Sequence, residues 1–312
     1  GDVVQNKVKE KKRYYNPSIS PDGKWLVYAN NRLGKLKIYL KNLETGERDK
    51  IFRQGHKLDQ KTDYSYPIVA WHPSSELFTM IVERKGENFM YYFDMEKREL
   101  ERQELFSLQK ILDVDYNHKG SKLVLSAVKE GQTDIFVFNL ASETFERITN
   151  DVYDDLHPRF INNSEEIVFS SNRTSDTLRD VKLNWRERSR EDTVEVGDSY
   201  NIFIYRYEKE KRVLWRLTDS KISDETHPEE FKNGYVTYLS DKNGIKNRYI
   251  AKFDSAVSYV DTTVHYRYFS HTYPLTNYSR SILNQDISLK SGKLVEHIYH
   301  NGLDKFFIRE LN

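Results

Sequence analysis

The sequence predicts an all-β fold: a six-bladed β-propeller of four-stranded antiparallel blades, its ring closed by an N-terminal strand. Three observations predict it. A unit of short apolar runs separated by turn residues appears six times between residues 14 and 312. The second run of each unit is apolar at nearly every position, as in Trp25-Leu26-Val27-Tyr28-Ala29, which marks a strand buried on both faces. The last unit stops after three runs, and residues 3–10 are the spare strand candidate. A blade with two apolar faces must be sandwiched by neighbours. A period of about 40–45 residues suits one blade, and a ring leaves no face open.

Taken in order, residues 1–13 set Val3, Val4 and Val8 among Lys7, Lys9, Lys11, Lys12 and Arg13, the pattern of a charged edge strand. It is expected to pair outside residues 306–308. Unit 1 opens on Asn16-Pro17-Ser18-Ile19 and turns at Asp22-Gly23, a pair able to take positive φ at both positions. Leu33-Gly34 and Thr45-Gly46 supply its other turns. Unit 2 turns at Pro73-Ser74-Ser75, unit 3 at Lys119-Gly120, unit 4 at Asn162-Asn163-Ser164, unit 5 at Asn233-Gly234 and unit 6 at Ser291-Gly292. An echo near the fourth strands supports the count: Arg147-Ile148-Thr149-Asn150, Arg216-Leu217-Thr218-Asp219 and Pro274-Leu275-Thr276-Asn277.

The chain reads as a single domain over residues 1–312 with two insertions. Residues 173–199 are rich in charge, with one aromatic residue, Trp185, and read as a solvated loop or a partner-binding loop. Residues 254–273 include Tyr259, His265, Tyr266, Tyr268, Phe269 and Tyr273. That is too aromatic to leave in solvent, and a lid packed against the propeller is expected.

Composition narrows the function. Net charge is +1, from 49 basic and 48 acidic residues, which gives no reason to expect nucleic acid or an anionic membrane surface as partner. No run of apolar residues is long enough to span a membrane as a helix. The chain has no cysteine, so disulfides and thiolate chemistry are excluded. It starts with Gly and carries no secretory signal peptide, as in a mature or excised segment. Nucleophile elbows, His-Glu-x-x-His and phosphate-binding glycine loops are absent. His297 and His300 point to opposite faces of one strand. The expectation is therefore no catalytic residue, no metal and no cofactor.

One constellation remains. Aligning the units on their turns places Asn16, Asp113, His157 and His227 at the entrance of four innermost strands, where they would ring one mouth of the axial channel. Asp155 and Glu225, with Asp154 and Asp224, stand just before the His157-Pro158 and His227-Pro228 steps. Two accounts stay open. These groups bond exposed backbone at the strand starts, or they form a binding funnel for a peptide or an ion. Two histidines alone make a weak metal site.

The Ser20-Pro21-Asp22-Gly23-Lys24 turn, the apolar strand ending in Asn30-Asn31-Arg32 or Ser171-Asn172-Arg173, and the Arg216-Leu217-Thr218-Asp219 close resemble the WD40-like repeat of the TolB propeller. Similar repeats occur in tricorn protease and in prolyl oligopeptidase propellers. Residues 274–282 also resemble the propeller segment of large TolB-like envelope proteins. The resemblance implies a non-catalytic protein- or peptide-binding module, monomeric when isolated, in the periplasm or at the outer membrane. The alternatives are a propeller gating a peptidase domain outside this chain and a carbohydrate-binding propeller.

Overall fold

The computed structural model describes residues 2–4, 12–55, 62–103, 108–178, 195–209, 212–260 and 264–311. After β1 (Asp2–Val3), blade 1 comprises β2 (Arg13–Ile19), β3 (Trp25–Arg32), β4 (Lys35–Asn42) and β5 (Arg48–Gln54). Blade 2 comprises β6 (Ile68–Trp71), β7 (Leu77–Arg84), β8 (Glu87–Asp94) and β9 (Glu99–Gln103). Blade 3 comprises β10 (Lys110–Tyr116), β11 (Lys122–Lys129), β12 (Gln132–Asn139) and β13 (Thr144–Arg147). Blade 4 comprises β14 (Asp155–Ile161), β15 (Glu166–Arg173), β16 (Val196–Tyr205) and β17 (Trp215–Arg216). Blade 5 comprises β18 (Glu225–Phe231), β19 (Tyr235–Ser240), β20 (Asn247–Val260) and β21 (Val264–Pro274). Blade 6 comprises β22 (Ile282–Ser288), β23 (Lys293–His300) and β24 (Leu303–Glu310), and takes β1 as its fourth strand. The result is six antiparallel four-stranded sheets in a ring.

The second strands are buried on both faces, as their composition requires. The residues from Leu26 to Asn31, Phe78 to Val82 and Leu123 to Ala127 are all buried. They feed apolar clusters between successive blades, from Phe78 and Phe93 between blades 1 and 2 to Phe169 and Phe203 between blades 3 and 4. Between blades 5 and 6 the described contacts are polar. Arg248 donates to Gln285 and to Glu296, which also accepts from Arg309.

The turn at Asp22 differs from the expectation that both its residues take positive φ. Only Gly23 is left-handed, with φ of 69°. Gly23 N–H donates to the Ser20 carbonyl at 2.8 Å, so Pro21 and Asp22 are the centre of the turn and Gly23 follows it as a bulge. The threonine echo has a defined role. Thr149, Thr218 and Thr276 accept from the third-strand N–H groups of Ile135, Ile202 and Arg248 at 2.9, 2.8 and 2.9 Å. Each hydroxyl continues the ladder where the fourth strand has turned away.

The first residue of one insertion and the described part of the other differ from their sequence reading. Residues 179–194 lie outside the described residues. Arg173 is buried and not part of a solvated loop: its guanidinium lies between Asp151 and Asp155. Among the described residues the aromatic insertion forms no lid. It lengthens β20 and β21 into a hairpin whose base carries the near-parallel stack Trp215, Phe253 and Tyr268. Tyr268 and Tyr273 stay more than half exposed. The side chains of Tyr259, His265 and Tyr266 lie outside the described residues. Among the described residues no helix is long and apolar enough to cross a membrane.

Closure follows the predicted route over residues 2–4, and residues 5–10 of the predicted strand lie outside the described residues. Asp2 pairs with Ile308 and Val3 with Phe307, and Val4 N–H donates to the Phe306 carbonyl at 2.9 Å. Val4 is buried beside Tyr28 and Phe306. Asp304 fastens blade 6 to blade 1, accepting from the Tyr14 N–H, the Arg13 Nε and His297. Deleting residues 1–4 removes these ladder bonds and the Val4 packing together. Stability should fall by roughly 2–4 kcal/mol. An unchanged thermal midpoint in the truncated chain would rule out closure by this segment.

Candidate functional site

The innermost strands β2, β6, β10, β14, β18 and β22 surround the axis. In β2, β14 and β18 the pairing register breaks at an X-Pro step, between Tyr15 and Ser18, Leu156 and Arg159, and Thr226 and Glu229. Asn16, His157 and His227 are left-handed there, with φ of 49°, 53° and 52°. Proline disfavours a right-handed helical residue before it and offers no N–H to the ladder, so the strand bulges. The residue before proline then lines the axis.

Two cavities meet on that axis. One, of about 210 Å³, lies where the innermost strands begin and is lined by Asn16, Asp113, His157, His227 and Asn284 among others. The other, of about 540 Å³, lies where they end, with Trp71, Val114, Asp115, Phe160, Glu229 and Asp286 in its wall. Arg159 lines both. Its Nη1 donates to Asp113 and its Nε to Glu229, each at 2.9 Å, and these contacts hold the guanidinium between the two spaces.

The structure thus brings Asn16, Asp113, His157 and His227 to the strand-entrance cavity, with different tasks. Asn16 Nδ2 donates to the carbonyls of Ser65 and Pro67, at 3.0 Å each, and ties blade 1 to blade 2. The rings of His157 and His227 stack with centroids 3.9 Å apart and planes 27° apart. Burial pushes His157 down to about 3, with Arg159 and Lys246 adding to the effect, and holds His227 well below its ordinary value. Both imidazoles are neutral across the physiological range, so the pair is no pH switch there. Asp155 and Glu225 are not at the mouth. Asp155 gives both oxygens to Arg173 Nη2, at 2.8 and 2.7 Å, in a buried group with Asp151 and Asp134. Arg173 and Arg147 supply the positive charge of that group. Glu225 is buried, and burial raises its pKa.

Sequence reasoning missed Arg159, Glu229 and Asp286, which join Asp115 at the centre of the site. A signal existed. Arg159 and Glu229 each follow an aligned histidine by two positions, with opposite charge. Asp115 and Asp286 satisfy the inner strands of neighbouring blades: Phe160 N–H donates to Asp115 at 3.0 Å and Ile19 N–H to Asp286 at 2.7 Å. Burial raises all three acids. Asp115 rises to about 7, Asp286 moves upward, and Glu229 moves well upward in spite of Arg159.

No protein-family model and no curated protein matches the chain. Solved structures do. TolB from Acinetobacter baumannii aligns with a TM-score of 0.57 and 16% identity over 77% of this chain and 51% of its own length. The β-propeller domain of the Trilobed protease from Pyrococcus furiosus aligns with a TM-score of 0.58 and 11% identity, covering 98% of this chain and 97% of that domain. Prolyl oligopeptidase B from Galerina marginata gives 0.55 and 13%, over 97% of this chain and 40% of its own. The chain thus spans about half the length of the Acinetobacter protein. At these identities the likeness is one of fold.

The acids give the site a pH signature. Folded Asp115 holds its proton up to about 7, against an ordinary value of 3.8. Between those values the folded chain binds the extra proton. The contribution of this group to stability is full in acid and is lost as pH rises to 7. Asp115→Asn keeps an acceptor for Phe160 N–H and removes the charge. It should be more stable than the parent at about pH 8, by roughly 1–3 kcal/mol, and equal to it near pH 4. Denaturant titrations of both proteins across that range check this; a constant difference would exclude Asp115 as its source.

Proposed function

We propose that this propeller is a non-catalytic module that binds a peptide segment of a partner protein at its axis. The observation that carries the reading is the axial cavity of about 540 Å³, closed at its inner end by Arg159 and walled by both apolar and charged side chains. Binding sites are concave, largely apolar and supplied with a few convergent polar groups. The TolB-like turn and strand motifs support the same reading and suggest a periplasmic or outer-membrane setting.

A second reading has its own support. Two of the solved folds above belong to a protease and an oligopeptidase, so the chain is also suited to gate a peptidase domain elsewhere in a longer protein. A hydrolase nucleophile elbow encoded beside this segment would favour gating. Both readings place a peptide on the axis and no chemistry in this chain.

Panning a random peptide display library against the purified chain should enrich binders. Val69 lines both cavities, and Val69→Trp fills the axis without changing its charge. The enriched peptides should lose about tenfold or more in affinity for that variant, and the parent chain should not hydrolyse them. Binding that survives Val69→Trp would move the site off the axis. Peptide hydrolysis lost in His157→Ala or His227→Ala would replace the binding module with an enzyme.

A further inference from the structure

The cavity at the ends of the innermost strands has a chemical bias that the opposite mouth lacks. Asp115, Glu229, Glu230 and Asp286 line it, against Arg159 and Lys290. Lys290 is exposed at the rim. The Arg159 charge is shared with Asp113, on the far side, through the same guanidinium that binds Glu229. Negative charge is therefore in surplus.

Part of that surplus is unspent. Glu229 is only 6% exposed, and its Oε1 accepts from Arg159. Its Oε2 takes no hydrogen bond among the described residues. Asp115 uses Oδ2 for Phe160 N–H, and its Oδ1 is likewise free. Asp115 is half-buried, and both carboxylates line a space large enough for a ligand.

The arrangement does not suit a bare metal ion. Among the described residues, the group of three acids with oxygens all within 4.8 Å of one another is Asp134, Asp151 and Asp155, away from the axis. The channel acids come from three strands, β10, β18 and β22, and do not converge in that way. A wider cation with several donors fits the spacing. The wall also holds Trp71, Val114, Phe160 and Leu289, apolar surface along which a hydrocarbon stem can lie while its charged end reaches the acids.

We propose that this cavity admits the side chain of a lysine or arginine from a bound polypeptide, its cationic end lying among Asp115, Glu229 and Asp286. The inference deepens the peptide-binding reading and rests on it.

Ligand-detected NMR with N-acetyl-lysine N-methylamide and its neutral norleucine isostere tests it on the full chain. The lysine probe should bind about tenfold or more tightly than the isostere. Asp115→Asn and Asp286→Asn, checked for folding by circular dichroism, should each weaken it by about fivefold or more, whereas His271→Ala, exposed and away from both cavities, should leave it unchanged. Equal binding of both probes, no binding of either, or full affinity in both Asn variants would overturn the proposal. So would displacement of the lysine probe by micromolar calcium chloride, which would make this a metal site. The two readings fail separately. Display binders that depend on an open axis yet carry no excess of lysine or arginine would retain peptide binding and remove the cation site.

Discussion

Each innermost strand of a propeller presents one free edge to the axis, and its backbone N–H groups need acceptors that no further strand provides. Carboxylates from neighbouring blades supply them. Asp115 of blade 3 accepts from Phe160 of blade 4, Asp286 of blade 6 from Ile19 of blade 1, and Glu230 of blade 5 from Asn162 of blade 4. The same acids that finish the inner edges fill the channel with negative charge, and Arg159 holds that charge together. The chemistry of the axis thus follows from closing the ring.

The fold was legible in the sequence because its determinants are local. The Pro21-Asp22-Gly23 turn, the apolar second strands and the threonine echo all act within one blade, and the second-strand pattern recurs in six units. Closure was legible by elimination, since blade 6 lacked a strand and residues 3–10 were spare. The channel chemistry was hidden because its partners lie far apart in sequence: Phe160 is 45 residues from Asp115, and Ile19 is 267 from Asp286.

The misplacement of Asp155 and Glu225 has a specific cause. In a regular strand, residues two apart share a face, so Asp155 and His157 should point together. The left-handed backbone at His157 breaks that period, and His227 does the same for Glu225. The histidines reach the axis and the acids go between the blades. The aromatic insertion failed for another reason: composition showed that its rings need cover, and they find part of it by stacking on one another and on Trp215.

The guanidinium of Arg159 lies where the two axial cavities meet, between Asp113 on one side and Glu229 on the other. A solute entering at either end meets an ion pair of Arg159 at that junction. The two mouths also share a single electrostatic reservoir. Charge drawn from Arg159 on the Glu229 side is charge withdrawn from Asp113 on the other, and any such linkage between two ends is reciprocal.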